Sequence, residues 1–266
     1  MLLLLSPAKS LNIDRKLPQN IQTSLPREHD KALILIQQLR QLQPSDIARL
    51  MGLSDTLTVL NVHRYQKFQN EANSFNAYCA LLMFDGDVYD GLDANTLSFE
   101  QWNEVQNKVR ILSGLYGVLR PLDLIQPYRL EMGTRLTTPN SKNLYQYWGE
   151  DITNRLNQDL ERYQHSVVLN LASDEYFKVI QVKKIKVPVI SCIFLDEKNG
   201  IYKVIGVFAK RARGMMTRFI LDQSINDFDN LKSFNKEGYQ WSKPDSTDVA
   251  LIFKRSKIRS KLYTIE

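Results

Sequence analysis

Short apolar segments alternate with helix-patterned segments along the whole chain, and this alternation constrains the fold most strongly. Leu2–Leu5 is a continuous apolar run that ends at Ser6-Pro7, which is typical of a buried strand. Further strands are predicted at residues 78–84, 109–112, 167–171 and 249–254. Helices are predicted at residues 28–42, 45–51, 54–68, 98–108, 144–163 and 210–221, with another helix start at residues 173–175.

No linker, repeat or low-complexity segment interrupts this alternation. Residues 187–195 and 202–209 read as two further strands around an Asn199-Gly200 turn, which is a hairpin signal. A hairpin is antiparallel, so the sheet should be mixed. We therefore predict one α/β (mixed α+β) domain over residues 1–266, a mixed sheet flanked by helices.

The charge of the chain is unevenly distributed. Its 266 residues carry a formal net charge of +6, but residues 178–218 contain ten Lys or Arg against Asp196 and Glu197. The tail from Lys254 to Lys261 adds five basic residues, whereas residues 85–104 hold six acids and no base. This asymmetry indicates a polyanionic partner, and double-stranded DNA is the predicted one.

Other features bound the cellular context. Cys79 and Cys192 each lie in an apolar run and read as buried thiols of a reducing compartment. The first residues lack a basic region before the apolar run, and no apolar stretch reaches the length of a membrane span. A cytoplasmic protein without a membrane partner is expected, and no protein partner can be inferred.

Common enzyme and metal signatures are missing. There is no glycine-rich dinucleotide turn, no phosphate loop and no Gly-x-Ser-x-Gly sequence, and the three histidines lack metal-ligand spacing. The acidic segment from Asp85 to Asp90 fails the EF-hand pattern, because Tyr89 and Thr96 stand at its fifth and twelfth positions. It is read as a solvated acidic loop, with magnesium binding as the alternative. We predict no cofactor and no metal.

Residues 44–68 form a candidate helix-hairpin-helix element. Two short helices flank Gly52-Leu53-Ser54, where backbone N–H groups of the turn and the second helix could bind a DNA phosphate. Ser54 stands where that motif has a second glycine, so an ordinary helical hairpin packed on the sheet is the alternative. The candidate DNA contacts here are Arg49, Gly52, Leu53, Ser54, Arg64 and Lys67.

Two other segments are candidate phosphate contacts. Gly114 and Gly117 are three apart in a loop near Arg110 and Arg120, and the alternative is a tight turn. The predicted helix at residues 210–221 carries Lys210, Arg211, Arg213 and Arg218, and the alternative is a solvated basic face.

Seven segments, in order, resemble a known family. They are SPAK (6–9), GDVY (86–89), LSGLYGVLRPLD (112–123), PYRLEMG (127–133), NLASDEYF (170–177), FLDEK (194–198) and AKRARG (209–214). Together they resemble the YaaA family of bacterial peroxide stress resistance proteins. The resemblance implies a mixed α/β fold and a cytosolic protein that limits peroxide damage and keeps free intracellular iron low. It also implies duplex DNA binding through a helix-hairpin-helix element and a positively charged cleft.

Two hypotheses of different classes remain open. The first is a DNA-binding stress protein that contacts the backbone or shape of DNA and not its sequence. The second is an enzyme that acts on a small anionic substrate, because polar residues cluster at predicted strand ends. That candidate cluster consists of Lys9, Asp87, Tyr89, Arg120, Arg129, Asp174 and Glu175. Direct iron binding is a third possibility, for which only the acidic loop offers ligands.

Overall fold

The computed structural model describes residues 1–257, and eight of its strands form one mixed sheet. Residues 258–266, with Arg259 and Lys261 of the predicted basic tail, lie outside the described residues. The strands of the main sheet are β1 (Leu2–Leu5), β5 (Val109–Ser113), β6 (Gly117–Leu119), β8 (Val168–Asn170), β9 (Val189–Lys198), β10 (Ile201–Lys203), β11 (Gln240–Trp241) and β12 (Ala250–Arg255). Two small sheets pair β2 (Ser10–Leu11) with β4 (Phe84–Asp85) and β3 (Tyr78–Cys79) with β7 (Leu124–Ile125).

The main sheet has a parallel centre and antiparallel margins. Its order is β11-β12-β9-β8-β1-β5-β6, and β10 pairs with the carboxyl-terminal residues of β9. The five strands from β12 to β5 run parallel, whereas β6, β10 and β11 are antiparallel to their neighbours. Every side chain of β1 is fully buried, because a central parallel strand is covered on both faces. The predicted mixed sheet is confirmed.

Helices flank this sheet. They are α1 (His29–Gln41), α2 (Pro44–Met51), α3 (Asp55–Lys67), α4 (Ala80–Met83), α5 (Asp87–Leu92), α6 (Phe99–Lys108), α7 (Leu144–Trp148), α8 (Asp151–Arg162), α9 (Asp174–Phe177) and α10 (Gly206–Asp222). Ser98 caps α6 with a reciprocal bond to Gln101, which gives that helix a defined start. Among the helices of residues 1–257, none is long and apolar enough to span a membrane.

Three sequence-based assignments of secondary structure are wrong. The helix predicted for residues 144–163 is two helices, because Gly149 adopts a left-handed φ of 47° between α7 and α8. The strand predicted for residues 78–84 is divided by the single turn of α4. The second hairpin strand ends at Lys203, and α10 begins at Gly206, where a strand to residue 209 was predicted.

The predicted hairpin turn itself is confirmed. β9 and β10 are antiparallel, and Asn199 and Gly200 both have positive φ, at 57° and 76°. This is the backbone that a two-residue hairpin loop requires.

Two arginines share one carboxylate at β5, and one of them, Arg110, is a residue of that strand. Asp159 of α8 accepts hydrogen bonds from Arg27 at 2.6 and 2.8 Å and from Arg110 Nε at 2.6 Å. Burial would raise the pKa of Asp159, but the bonds and charges of the two guanidinium groups hold it below its usual value. Arg110 is completely buried, so it cannot contact DNA and that prediction is wrong.

Gly114 and Gly117 are also enclosed by the fold. Both glycines are buried, and the Gly114 carbonyl accepts a bond of 2.9 Å from the indole Nε1 of Trp148. The phosphate-loop prediction for this segment is wrong, and its tight-turn alternative describes the β5–β6 connection.

The two cysteines are buried and unpaired. Burial raises the pKa of the Cys79 thiol to about 12, and it raises the pKa of Cys192 as well. The prediction of buried thiols is confirmed.

His165 makes the stability of the fold depend on pH. Its pKa is lowered to about 4, chiefly by burial and also by nearby positive charges that include Arg110 and Lys108. The hydrogen bond of 3.1 Å between Nε2 and the Asn107 carbonyl opposes this shift. The unfolded chain therefore binds a proton that the folded chain does not between about pH 6.5 and 4. Stability should fall by about 1 to 2 kcal/mol as the pH drops through this window, after allowance for solvent screening. Urea unfolding of the wild type and of His165→Gln at several pH values in this window measures the free energy of unfolding. An equal pH dependence of that free energy in both proteins would contradict the prediction.

Candidate functional site

A cleft lies beyond the ends of two central strands. Its volume is about 580 Å³, and its wall includes the segments that follow β1 and β8. The lining residues are Ser6–Ser10, Asp85–Tyr89, Glu131, Ser173–Tyr176, Lys210 and Arg213. Together these residues define the cleft.

Strand order explains why a cleft forms at this point. β1 and β8 are parallel neighbours, but the chain continues from β1 towards β5 on one side and from β8 towards β9 on the other. The connections therefore leave the two strands in opposite directions and open a crevice at their carboxyl ends. Ligands of open α/β sheets bind at such switch points.

Hydrogen bonds tie the floor of the cleft together. Ser173 N donates to Ser6 Oγ at 2.8 Å, and the two hydroxyl groups are 3.2 Å apart. The Tyr89 hydroxyl donates to the Ser6 carbonyl at 3.0 Å, and complete burial raises its pKa well above the usual value. Tyr89 is therefore a neutral structural donor and not a source of a phenolate.

Several charged groups of the cleft are already partnered. Asp85 pairs with Arg15 at 2.6 Å, and Glu175 accepts a bond of 3.0 Å from the backbone of Gly133. Glu131 pairs with Arg129 at 3.0 Å and with Lys9 at 3.8 Å. Asp85 and Glu131 are therefore neutralised by arginines, whereas Lys9 is 68% exposed and Glu175 keeps its charge.

Four other charged side chains of the cleft have no hydrogen bond or ion pair with residues 1–257. They are Asp87, Asp174, Lys210 and Arg213. Arg213 is the most enclosed of them, and its Nε is buried without a partner. Burial lowers the pKa of Arg213, and the charge of Asp174 opposes that shift. An arginine keeps its charge under such a shift, so the cleft contains a partly desolvated cation.

The cleft collects most of the polar cluster predicted from sequence. Lys9, Asp87, Tyr89, Asp174 and Glu175 line it, and Arg129 borders it through Glu131. Arg120 lies elsewhere and pairs with Asp123 at 2.8 Å. Sequence reasoning missed Glu131, Ser6 and Ser173, and it assigned Lys210 and Arg213 to DNA. Lys210 and Arg213 are three residues apart on one helix, which places their side chains on the same face. This spacing was the signal that could have assigned both to one site.

The α2–α3 helical pair forms a second candidate site. Gly52 ends α2 in the left-handed conformation, with φ of 60°, and Ser54 precedes α3 in extended conformation. Gly52 and Ser54 are exposed, and the Ser54 side chain does not cap α3. The N–H groups of Asp55, Thr56 and Leu57 therefore have no acceptor among the described residues.

Basic side chains surround this pair. Arg49 is 79% exposed, with Asp46 at 3.2 Å, and it shares a surface groove with Arg135. Lys67 is exposed at the end of α3. Arg64 is half-buried beside Arg129; its burial lowers its pKa, as does the charge of Arg129. The segment from Arg129 to Arg135 thus joins the helical pair to the border of the cleft.

Two predicted DNA contacts of α10 are neutralised within the fold. Arg211 pairs with Glu237 at 2.7 Å, and Arg218 pairs with Asp222 at 2.7 Å. Of the four basic residues predicted on α10, only Lys210 and Arg213 line the cleft. The helix therefore does not present one continuous basic surface to solvent.

The acidic segment is divided between two elements. Asp85 ends β4, and Asp87 and Asp90 lie in the first turn of α5. Across residues 1–257, no three His, Cys, Asp or Glu side chains are grouped so that they could hold a metal ion.

Comparison with known proteins shows the family to which the chain belongs. The family model described as "Peroxide stress protein YaaA" matches residues 1–245. A UPF0246 protein of Idiomarina loihiensis is 48% identical over 257 residues, which cover 97% of this chain and 99% of the relative. A UPF0246 protein of Delftia acidovorans is 49% identical, covering 96% and 98%, and one of Shewanella sediminis is 49% identical, covering 97% and 100%.

The chain belongs to the YaaA family of peroxide stress proteins, also named UPF0246. The family supports a role in peroxide stress, and the predicted resemblance is confirmed.

Proposed function

We propose that this peroxide stress protein binds duplex DNA through the α2–α3 helical pair. The observation that carries the proposal is the exposed Gly52–Ser54 turn, from which free N–H groups open a helix of 13 residues. Such a helix start binds a phosphate through its N–H groups and the helix dipole. Asp55 at the first helical position opposes this attraction, so other cations must contribute.

The surrounding arginines and lysine supply that charge. Arg49 and Lys67 are exposed on the two helices, and Arg135 lies across the groove from Arg49. Among the described residues, none of these side chains is held in a buried ion pair, so each can neutralise a phosphate. Contacts of this kind position a protein on the duplex without reading its sequence.

The test is a titration of labelled duplex DNA, followed by fluorescence anisotropy at several salt concentrations. We expect affinity to fall steeply with salt, because each neutralised phosphate releases counterions. The double variant Arg49→Glu/Lys67→Glu should bind about tenfold or more weakly at low salt, with a salt slope shallower by about two.

A variant with the same change of charge provides the control. Lys183 and Lys203 are exposed and lie on other elements, so Lys183→Glu/Lys203→Glu should reduce binding much less. Equal losses in the two double variants would mean that net charge alone drives binding. Affinity that does not change with salt would exclude the proposal.

The same proposal includes a cytoplasmic location and a contribution to low free iron. Peroxide-treated cells that lack the protein would be complemented with the wild type or with Arg49→Glu/Lys67→Glu. If DNA binding underlies protection, the variant should leave DNA damage high. Chelatable iron measured in the same cells then separates the two roles, because a variant that restores low iron acts independently of DNA.

A further inference from the structure

The cleft has the position and size of a small-molecule site. It lies at the switch point between β1 and β8, and its volume of about 580 Å³ is within the range of ligand pockets. A duplex is too wide to enter a crevice of this volume, whereas a molecule of amino-acid size fits it.

Two close helix contacts hold the cleft in one shape. A Cβ added at Gly214 of α10 would be 1.8 Å from the Val88 carbonyl oxygen of α5. One added at Gly91 of α5 would be 2.2 Å from the Arg211 carbonyl oxygen. The helix backbones are therefore in direct contact, and Arg213 is presented beside the start of α5 on a rigid support.

The free charges of the cleft are balanced. Lys210 and Arg213 come from one turn of α10, whereas Asp87 and Asp174 are the first residues of α5 and α9. Asp85 and Glu131 have ion-pair partners, and Lys9 and Glu175 carry one charge of each sign, so they leave this balance unchanged. A ligand that satisfied these four groups would carry both a negative and a positive charge, since a purely anionic ligand would leave both carboxylates unpaired.

We propose that the cleft binds a small zwitterion with a carboxylate and a protonated amino group. Arg213 binds the carboxylate, because a guanidinium forms paired hydrogen bonds with that group and this one lines the cleft without a hydrogen bond or ion pair to residues 1–257. Asp174, the first residue of α9, binds the ammonium group. Pro7, Ala8 and Val88 provide apolar surface for a short side chain.

Three matched compounds test this proposal by ligand-detected NMR on the full chain. Norleucine carries both groups, hexanoate lacks the amino group, and pentylamine lacks the carboxylate. We expect saturable norleucine binding in the millimolar range, about tenfold or more tighter than either single-charge compound. Arg213→Met should weaken norleucine binding about tenfold or more.

Arg211→Met is the matched control. It removes the same group two residues away, but Arg211 pairs with Glu237 outside the cleft, so norleucine binding should not change. Thermal unfolding of both variants shows whether each is folded. Asp174→Asn, at an exposed residue, is the second variant, and it should weaken norleucine but not hexanoate.

Each opposite result overturns the proposal. Absence of saturable norleucine binding excludes the site, and hexanoate binding as tight as norleucine makes it an anion site only. Norleucine binding that survives both Arg213→Met and Asp174→Asn places the ligand elsewhere. If Arg213→Met abolishes duplex binding and leaves norleucine binding intact, Arg213 belongs to the DNA surface.

Discussion

Replacing Asp159 with asparagine is expected to lower the free energy of unfolding by about 3 to 5 kcal/mol. The carboxylate is the shared partner of Arg27 and Arg110, with bonds of 2.6 to 2.8 Å, and Arg110 is completely buried. Asparagine keeps the size of the side chain but removes the charge, so two guanidinium groups would remain without a counterion. Within residues 1–257, Arg110 Nη2 already has no hydrogen-bond acceptor, so the network holds no spare acceptor that could replace the lost carboxylate.

Urea unfolding at neutral pH measures this effect. Asp151→Asn serves as the control, because Asp151 pairs with Lys31 at the half-exposed surface and should cost about 1 kcal/mol or less. A loss below about 1 kcal/mol for Asp159→Asn would show that water or rearrangement satisfies both arginines.

Gly214→Ala should be the other severe substitution, with a loss of about 3 kcal/mol. The new methyl group would overlap the Val88 carbonyl oxygen at 1.8 Å and would lie 2.8 Å from the Leu92 nitrogen. Backbone atoms cannot move aside as a flexible side chain can, so α10 must shift away from α5. Arg213 shifts with it, and norleucine binding should be lost in the same variant.

Gly206→Ala on the same helix is the matched control. No atom of residues 1–257 lies within 4 Å of the added Cβ, so its effect on stability should stay within about 1 kcal/mol of zero. Thermal unfolding of the two variants compares them directly. Equal stability of Gly214→Ala and Gly206→Ala would show that the α5–α10 contact can relax at little cost.

Local sequence patterns predicted the type of most elements and missed what distant residues decide. The apolar run of β1, the Asn199-Gly200 hairpin and the helix at residues 98–108 depend on neighbouring residues alone, and all three are present. Gly149 was overlooked as a helix break because an isolated glycine is also tolerated inside helices. Arg110 was predicted at the surface because its partner, Asp159, is 49 residues away.

The candidate site was predicted in part for the same reason. Strand ends marked Lys9, Asp87, Asp174 and Glu175, because polar residues that follow buried strands are visible in sequence. The switch point between β1 and β8 depends on strand order, which no local pattern encodes. Without that order, Lys210 and Arg213 could not be separated from Arg211 and Arg218, which occupy ion pairs elsewhere.

The position of β1 has a consequence for synthesis of the chain. Leu3 pairs with Val109 on one side and with Leu169 on the other, so β1 leaves the ribosome well before the two strands that cover its edges. At about 5 to 20 residues per second, the second edge of this wholly apolar strand stays open for roughly 10 to 30 seconds. During that interval the nascent protein exposes a template for strand addition by other chains, so its yield in the cell depends on shielding of residues 2–5 until translation has passed residue 170.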